Sequence, residues 1–147
     1  MNNKRSSHSF ETTEISEFKK RILSFYKNEK HFVFLDSNTA EKTDYQCLCA
    51  IGAIDVLSCD AGDAFAKAES FQSEHQDWMF GYLGYDLKNE LESLDSKNPD
   101  LLEFPDLQFF IPETVVEIGV NNVVFHSYEE DTTYFQQLLS EIINQEV

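Results

Sequence analysis

Basic residues are scarce in this chain. Eleven Lys and Arg stand against 27 Asp and Glu, a net charge of −16 over 147 residues. Phosphate binding needs basic surface, so this balance argues against DNA, RNA or an anionic membrane as a partner. Cysteine is also rare: three is an odd number and cannot complete a disulfide framework. No apolar run approaches the roughly 20 residues needed to span a bilayer, and no apolar stretch of a secretory signal opens the chain. The cytoplasm is therefore the expected compartment. A phosphate loop, a dinucleotide fingerprint and a His-Glu-x-x-His pair are all missing. What is present is core material. Hydrophobic residues make up 41% of the chain and aromatics 14%, enough for one packed domain.

Read in order, the chain predicts an α+β domain built on a mainly antiparallel sheet. Residues 1–12 are polar and Ser-rich and are expected to be a flexible tail, with a single domain over 13–147. Ile15, Phe18, Ile22, Leu23 and Tyr26 recur at helical spacing behind Thr13, a candidate cap. His31 to Ser37 reads as a strand buried on both faces, with Phe32 and Phe34 on one side and Val33 and Leu35 on the other. A polar loop, Asn38 to Asp44, leads to strands at Tyr45 to Ile51 and Ile54 to Cys59, joined around Gly52-Ala53. An Ala-rich helix then carries Phe65, Ala68 and Phe71. Leu107 to Ile118 reads as one long strand interrupted at Pro112, followed by a hairpin through Gly119 to Asn122 into Val123 to Ser127. The last helix has a stripe of Tyr134, Phe135, Leu138, Leu139, Ile142 and Ile143, capped by Asp131 or Thr132.

The densest pattern lies between Trp78 and Pro112, which holds the only Trp and all three prolines. Trp78 to Tyr85 is an aromatic strand containing Gly81-x-x-Gly84. Two glycines in such a run predict a crowded, bent strand at the middle of a sheet. Asp86 then caps a short helix, Leu87 to Leu94. The spacing Gly81-x-x-Gly84 also occurs in the loop by which KH domains clamp nucleic acid. Here it stands in an apolar strand of an acidic chain, against that role.

Gly-Tyr-Leu-Gly-Tyr-Asp-Leu, an acidic helix, a variable loop and Phe-Pro-Asp-Leu-Gln-Phe-Phe together resemble the N-terminal domain of the large subunits of anthranilate and aminodeoxychorismate synthases. Phe34-Leu35-Asp36-Ser37 is similar to that family's Leu-Leu-Glu-Ser and stands in family order. The likeness covers most of the chain and is greatest to component I of aminodeoxychorismate (para-aminobenzoate) synthase. It implies a non-catalytic domain of an enzyme that aminates chorismate for folate synthesis. The full enzyme uses Mg2+ in a separate C-terminal catalytic domain and ammonia from a glutamine amidotransferase subunit. The final helix lacks ordinary stop signals, which fits a chain cut before that catalytic domain. Anthranilate or isochorismate synthase component I is an alternative, and so is a free-standing ligand-binding or interaction module on the same fold.

No catalytic residue is assigned in this chain, and no metal or cofactor is expected here. Cys47-Leu48-Cys49 with Cys59 could offer thiolates to a soft metal. Cys47 and Cys49 share a strand face and no His has ligand spacing to them, so they read as inert core thiols. The four histidines read as surface or satisfied residues. The resemblance points instead to Asp36, Ser37 and Tyr45 as a tryptophan-type pocket, the serine corresponding to one that serves the family's tryptophan site. A strand end supplies backbone amides and a hydroxyl, and Tyr45 supplies an apolar wall. Asp36 departs from the family's Glu, and the loop lacks a basic residue found in some relatives. In the family the N-terminal sheet packs against the catalytic domain, so the isolated chain is expected to expose apolar surface and form a homo-oligomer.

Overall fold

The computed structural model describes residues 4–37, 45–84 and 105–146. Its elements follow in chain order: β1 (Ser6–Glu11), α1 (Ile15–Phe25), β2 (Phe32–Asp36), β3 (Cys47–Ile51), β4 (Asp55–Cys59), α2 (Ala64–His75), β5 (Phe80–Leu83), β6 (Leu107–Ile111), β7 (Thr114–Ile118), β8 (Asn122–Ser127) and α3 (Thr132–Ile143). The fold is α+β and every strand pairing is antiparallel. The chain divides into two compact units, one from Met1–Gly52 with Glu113–Val147 and one from Ala53–Pro112.

The first unit carries a five-stranded sheet in the order β1-β8-β7-β3-β2. Its alternation sends Cys47, Cys49, Ile51, Val116, Ile118, Val123 and Phe125 to one buried face. Helices α1 and α3 cover that face with Phe18, Ile22, Phe135 and Ile142. Phe125 stacks on Phe135 at 5.3 Å, and burying rings of this size contributes about 1.5–3 kcal/mol each. Asp131 caps α3, its Oδ1 accepting from Thr133 N at 3.0 Å. Thr13 does not cap α1. The N-cap position of that helix is Glu14, in the left-handed region at φ 55°, with no side-chain cap.

The expected N-terminal tail is corrected by β1, whose six residues pair with β8 from Ser6↔Ser127 to Glu11↔Asn122. Its composition is too polar to read as a strand, yet His8 and Phe10 face the core while Ser7 and Ser9 face outward. His8 is 6% exposed and stacks on Phe135 at 4.6 Å. Its Nε2 donates to the Glu129 carbonyl at 3.0 Å and its Nδ1 accepts from Thr132 Oγ1 at 2.9 Å. The doubly buried β2 is also corrected. Among the described residues it pairs only with β3, and Leu35 is 53% exposed, because a sheet-edge strand is half covered.

The second unit is a three-stranded sheet, β4-β6-β5, with α2 on one face. Ala64 of α2 and Leu107 of β6 are its fully buried pair, ringed by Leu57, Cys59, Phe65, Ala68 and Phe109. Among the described residues β5 is an edge strand rather than a central one. The crowding that its glycines predict is present. A Cβ on Gly81 would strike the Gln108 carbonyl oxygen and lie 2.7 Å from Phe109 Cα. A Cβ on Gly84 would lie 2.8 Å from the Asp106 carbonyl oxygen.

The long strand expected over Leu107 to Ile118 is two strands of different sheets, because Pro112 has no N–H to give a ladder. The return crossing lies at Gly52, whose φ of +75° suits glycine. The expected helix Leu87 to Leu94 and the loop Asn38 to Asp44 lie outside the described residues.

Candidate functional site

Asp36 ends β2 and Ser37 follows it, facing the residues that open β3. The Ser37 N–H donates to the Gln46 carbonyl at 2.9 Å, and the Ser37 hydroxyl donates to the same carbonyl at 2.8 Å. Both donors close the β2–β3 hairpin, so the hydroxyl retains only acceptor capacity, which suits an ammonium better than a carboxylate. The Asp36 carboxylate meets Lys19 of α1, with Nζ 3.2 Å from Oδ1 and 3.1 Å from Oδ2. That pair neutralises one charge at the strand end. Tyr45 stands at the start of the same hairpin arm and is 39% exposed. The three residues singled out by the resemblance therefore share one end of the first unit, flanking residues 38–44.

Behind Asp36 lie the paired thiols. Asp36 is registered opposite Cys47, and Cys49 lies two residues further along the same core face. A hydrogen bond to Cys47, followed by burial, pushes the Cys49 thiol far above its ordinary range. A buried protonated thiol is a poor nucleophile and a poor metal ligand. Tyr26 packs on Phe32 at 5.9 Å, and burial, then proximity to Tyr134, raises its phenol well above the usual value. Among the described residues no three His, Cys, Asp or Glu side chains are grouped to hold a metal ion.

The two halves of the Gly-Tyr-Leu-Gly…Phe-Pro-Asp-Leu-Gln-Phe-Phe pattern are neighbours in the second unit. Gly81 pairs with Phe109 and Leu83 with Leu107. The Gly84 N–H donates to the Asp106 carbonyl, the Tyr82 hydroxyl donates to the Pro105 carbonyl at 2.9 Å, and Asp106 Oδ2 accepts from Ala61 N at 2.7 Å. These bonds tie the end of β5 and the residues after β4 to Pro105 and Asp106, just before β6.

A third constellation escapes sequence reading. On the face of the five-stranded sheet away from α1 and α3, Ser7, His126 and Glu117 come from three successive strands. Ser7 Oγ lies 2.8 Å from His126 Nδ1, and His126 Nε2 lies 3.2 Å from Glu117 Oε2. The available signal was two polar residues, Glu117 and His126, interrupting otherwise apolar strands. Ser7 could not join them while β1 was read as a tail.

Among the described residues no helix is long and apolar enough to cross a membrane. No protein-family model matches the chain, and no curated protein matches it.

Proposed function

We propose that this chain is the N-terminal domain of a chorismate-aminating synthase component I, non-catalytic in the chorismate reaction, with aminodeoxychorismate as the product made by its complete enzyme. The observation that carries the reading is the pairing of β5 with β6. The residues of the family-like pattern that fall in this pair are hydrogen-bonded neighbours, and the glycines stand where the facing backbone leaves no space for a Cβ. Asp36, Ser37 and Tyr45 serve as one wall of a tryptophan-type pocket, with Ser37 accepting from the ligand's ammonium. Chorismate, Mg2+ and the acid–base groups belong to the partner catalytic domain, and ammonia comes from a glutamine amidotransferase subunit.

The test combines the purified chain with a separately produced chorismate-binding domain, the amidotransferase, glutamine, Mg2+ and chorismate. The chain alone is expected to form no aminodeoxychorismate or anthranilate, and its addition is expected to raise product formation by the catalytic domain. Calorimetric titration with tryptophan is expected to show saturable binding that Ser37→Ala weakens. Product formation by the chain alone, or a chain that neither stimulates nor binds the catalytic domain, would overturn the reading and favour an independent module.

A further inference from the structure

We infer that Ser7 is an activated nucleophile, with His126 as its general base and Glu117 orienting the imidazole, and that it accepts acyl groups from small carboxylic esters. The argument begins with register. Ser7 of β1 and His126 of β8 are directly opposed, which sets their Cβ atoms about 4.5–5.5 Å apart. Glu117 of β7 is opposed to Val124, so it reaches His126 along the diagonal. Three backbones therefore position the group, and none of its members hangs from a loop.

Hydrogen-bond direction follows from the chemistry of the partners. An ionised carboxylate only accepts, so His126 Nε2 carries the hydrogen and donates to Glu117 Oε2 at 3.2 Å. Nδ1 then holds a lone pair, and the Ser7 hydroxyl must donate to it across 2.8 Å. The proton path runs from serine to imidazole, with the carboxylate placed to stabilise the imidazolium that forms. That is the relation of nucleophile, base and orienter required for acyl transfer.

His8 shows what a purely structural histidine looks like in this fold. It also bonds a hydroxyl, but its other nitrogen donates to a main-chain carbonyl, and its ring is buried against Phe135. His126 instead faces a carboxylate, with its side chain 19% exposed and that of Glu117 30% exposed. Ser7 itself is exposed, so an ester can reach Oγ. Arg5 ties the start of this arrangement down. Its guanidinium donates to the Glu113 carbonyl at 3.1 Å and to the His126 carbonyl at 3.4 Å, and lies over the Tyr128 ring.

The balanced step is simple. Ser7 Oγ bonds the acyl carbon, the acyl C–O bond to the leaving alcohol breaks, and the serine proton passes through His126 Nδ1 to the departing oxygen. Water, activated by the same imidazole, then releases the carboxylic acid and restores Ser7. Ser7 is exposed, while Val115 and Ala50 on the same sheet face are fully buried, so small, unhindered acyl groups suit the site. The acidic chain disfavours anionic esters.

The probes are p-nitrophenyl acetate and an uncharged alkyl fluorophosphonate, with peptide mass spectrometry locating the adduct. One label per chain on Ser7 is expected, with a burst of p-nitrophenol before slower turnover. His126→Gln should slow labelling by about 100-fold or more, the scale of general-base assistance. Glu117→Gln should slow it by at least about tenfold, since the carboxylate acts through the base. Circular dichroism checks that each variant is folded, and the wild-type adduct map decides the matter if one is not. An unlabelled Ser7 in folded protein, labelling confined to other residues, or an undiminished rate in folded His126→Gln would overturn the assignment.

Discussion

Gly81→Ala tests the packing of the second unit, and its sign is decided by geometry. Gly81 lies within β5 and does not have a left-handed φ. With open space beside it, alanine would stabilise by about 0.4–1 kcal/mol, because the unfolded chain loses freedom. Open space is what the structure denies. The new Cβ would lie 2.7 Å from Phe109 Cα and closer still to the Gln108 carbonyl oxygen. Both obstacles are main chain of β6, which cannot rotate away as a side chain would. Overpacking of this kind costs about 1–3 kcal/mol, and backbone obstacles push it to the upper half, so a net loss of about 2 kcal/mol is expected. Because β5 is held only by β6 among the described residues, relief comes by prying the edge strand off. Trp78 stacks on Phe80 at 5.9 Å, so its fluorescence reports β5 directly. Urea unfolding followed by this signal should show a midpoint lower by about 1 M, for a slope of about 2 kcal/mol per M. An unchanged or higher midpoint would refute the close approach of β5 to β6.

Alkaline stability should follow Tyr26. Burial raises its phenol above the ordinary 10.0, so its contribution is complete below pH 10 and is lost as pH rises beyond it. The unfolding free energy should fall by up to about 1.4 kcal/mol per pH unit, and Tyr26→Phe should flatten the fall above pH 10. Asp131→Ala should cost about 1 kcal/mol in thermal unfolding through loss of the cap on α3; no change would remove the Thr133 bond from the account. With a thiol reagent on native protein, half-buried Cys59 should react first and buried Cys47 and Cys49 only slowly; rapid labelling of all three would contradict the core placement. Multi-angle light scattering at micromolar concentration is expected to detect self-association through the sheet face bearing Leu35. A strictly monomeric mass with no hydrophobic-dye binding would reject it.

Local pattern was enough to define most elements. The 3.6-residue stripe of α3 is buried at Phe135 and Ile142, while its flanking members Tyr134 and Ile143 are exposed, because the core covers only the centre of so wide a stripe. The paired glycines of β5 announce a close backbone approach because no other residue has room there. Period-two alternation identifies Cys47 and Cys49 as residues of one face. Asp36, Ser37 and Tyr45 were singled out by the family-like pattern, and the antiparallel pairing of β2 with β3 sets Asp36 opposite Cys47. Tertiary pairing decided the rest. Ser6–Glu11 is too polar to propose a strand for itself, and it becomes one because β8 presents an edge for its backbone to bond. Pro112 and Gly52 mark breaks in the sequence, but only the pairing of β4 with β6 and of β3 with β7 turns those breaks into crossings between two sheets. Ser7, Glu117 and His126 stand up to 119 residues apart. No local rule relates residues at that distance. They meet because antiparallel register, fixed by burial of the opposite face, sets three strands side by side.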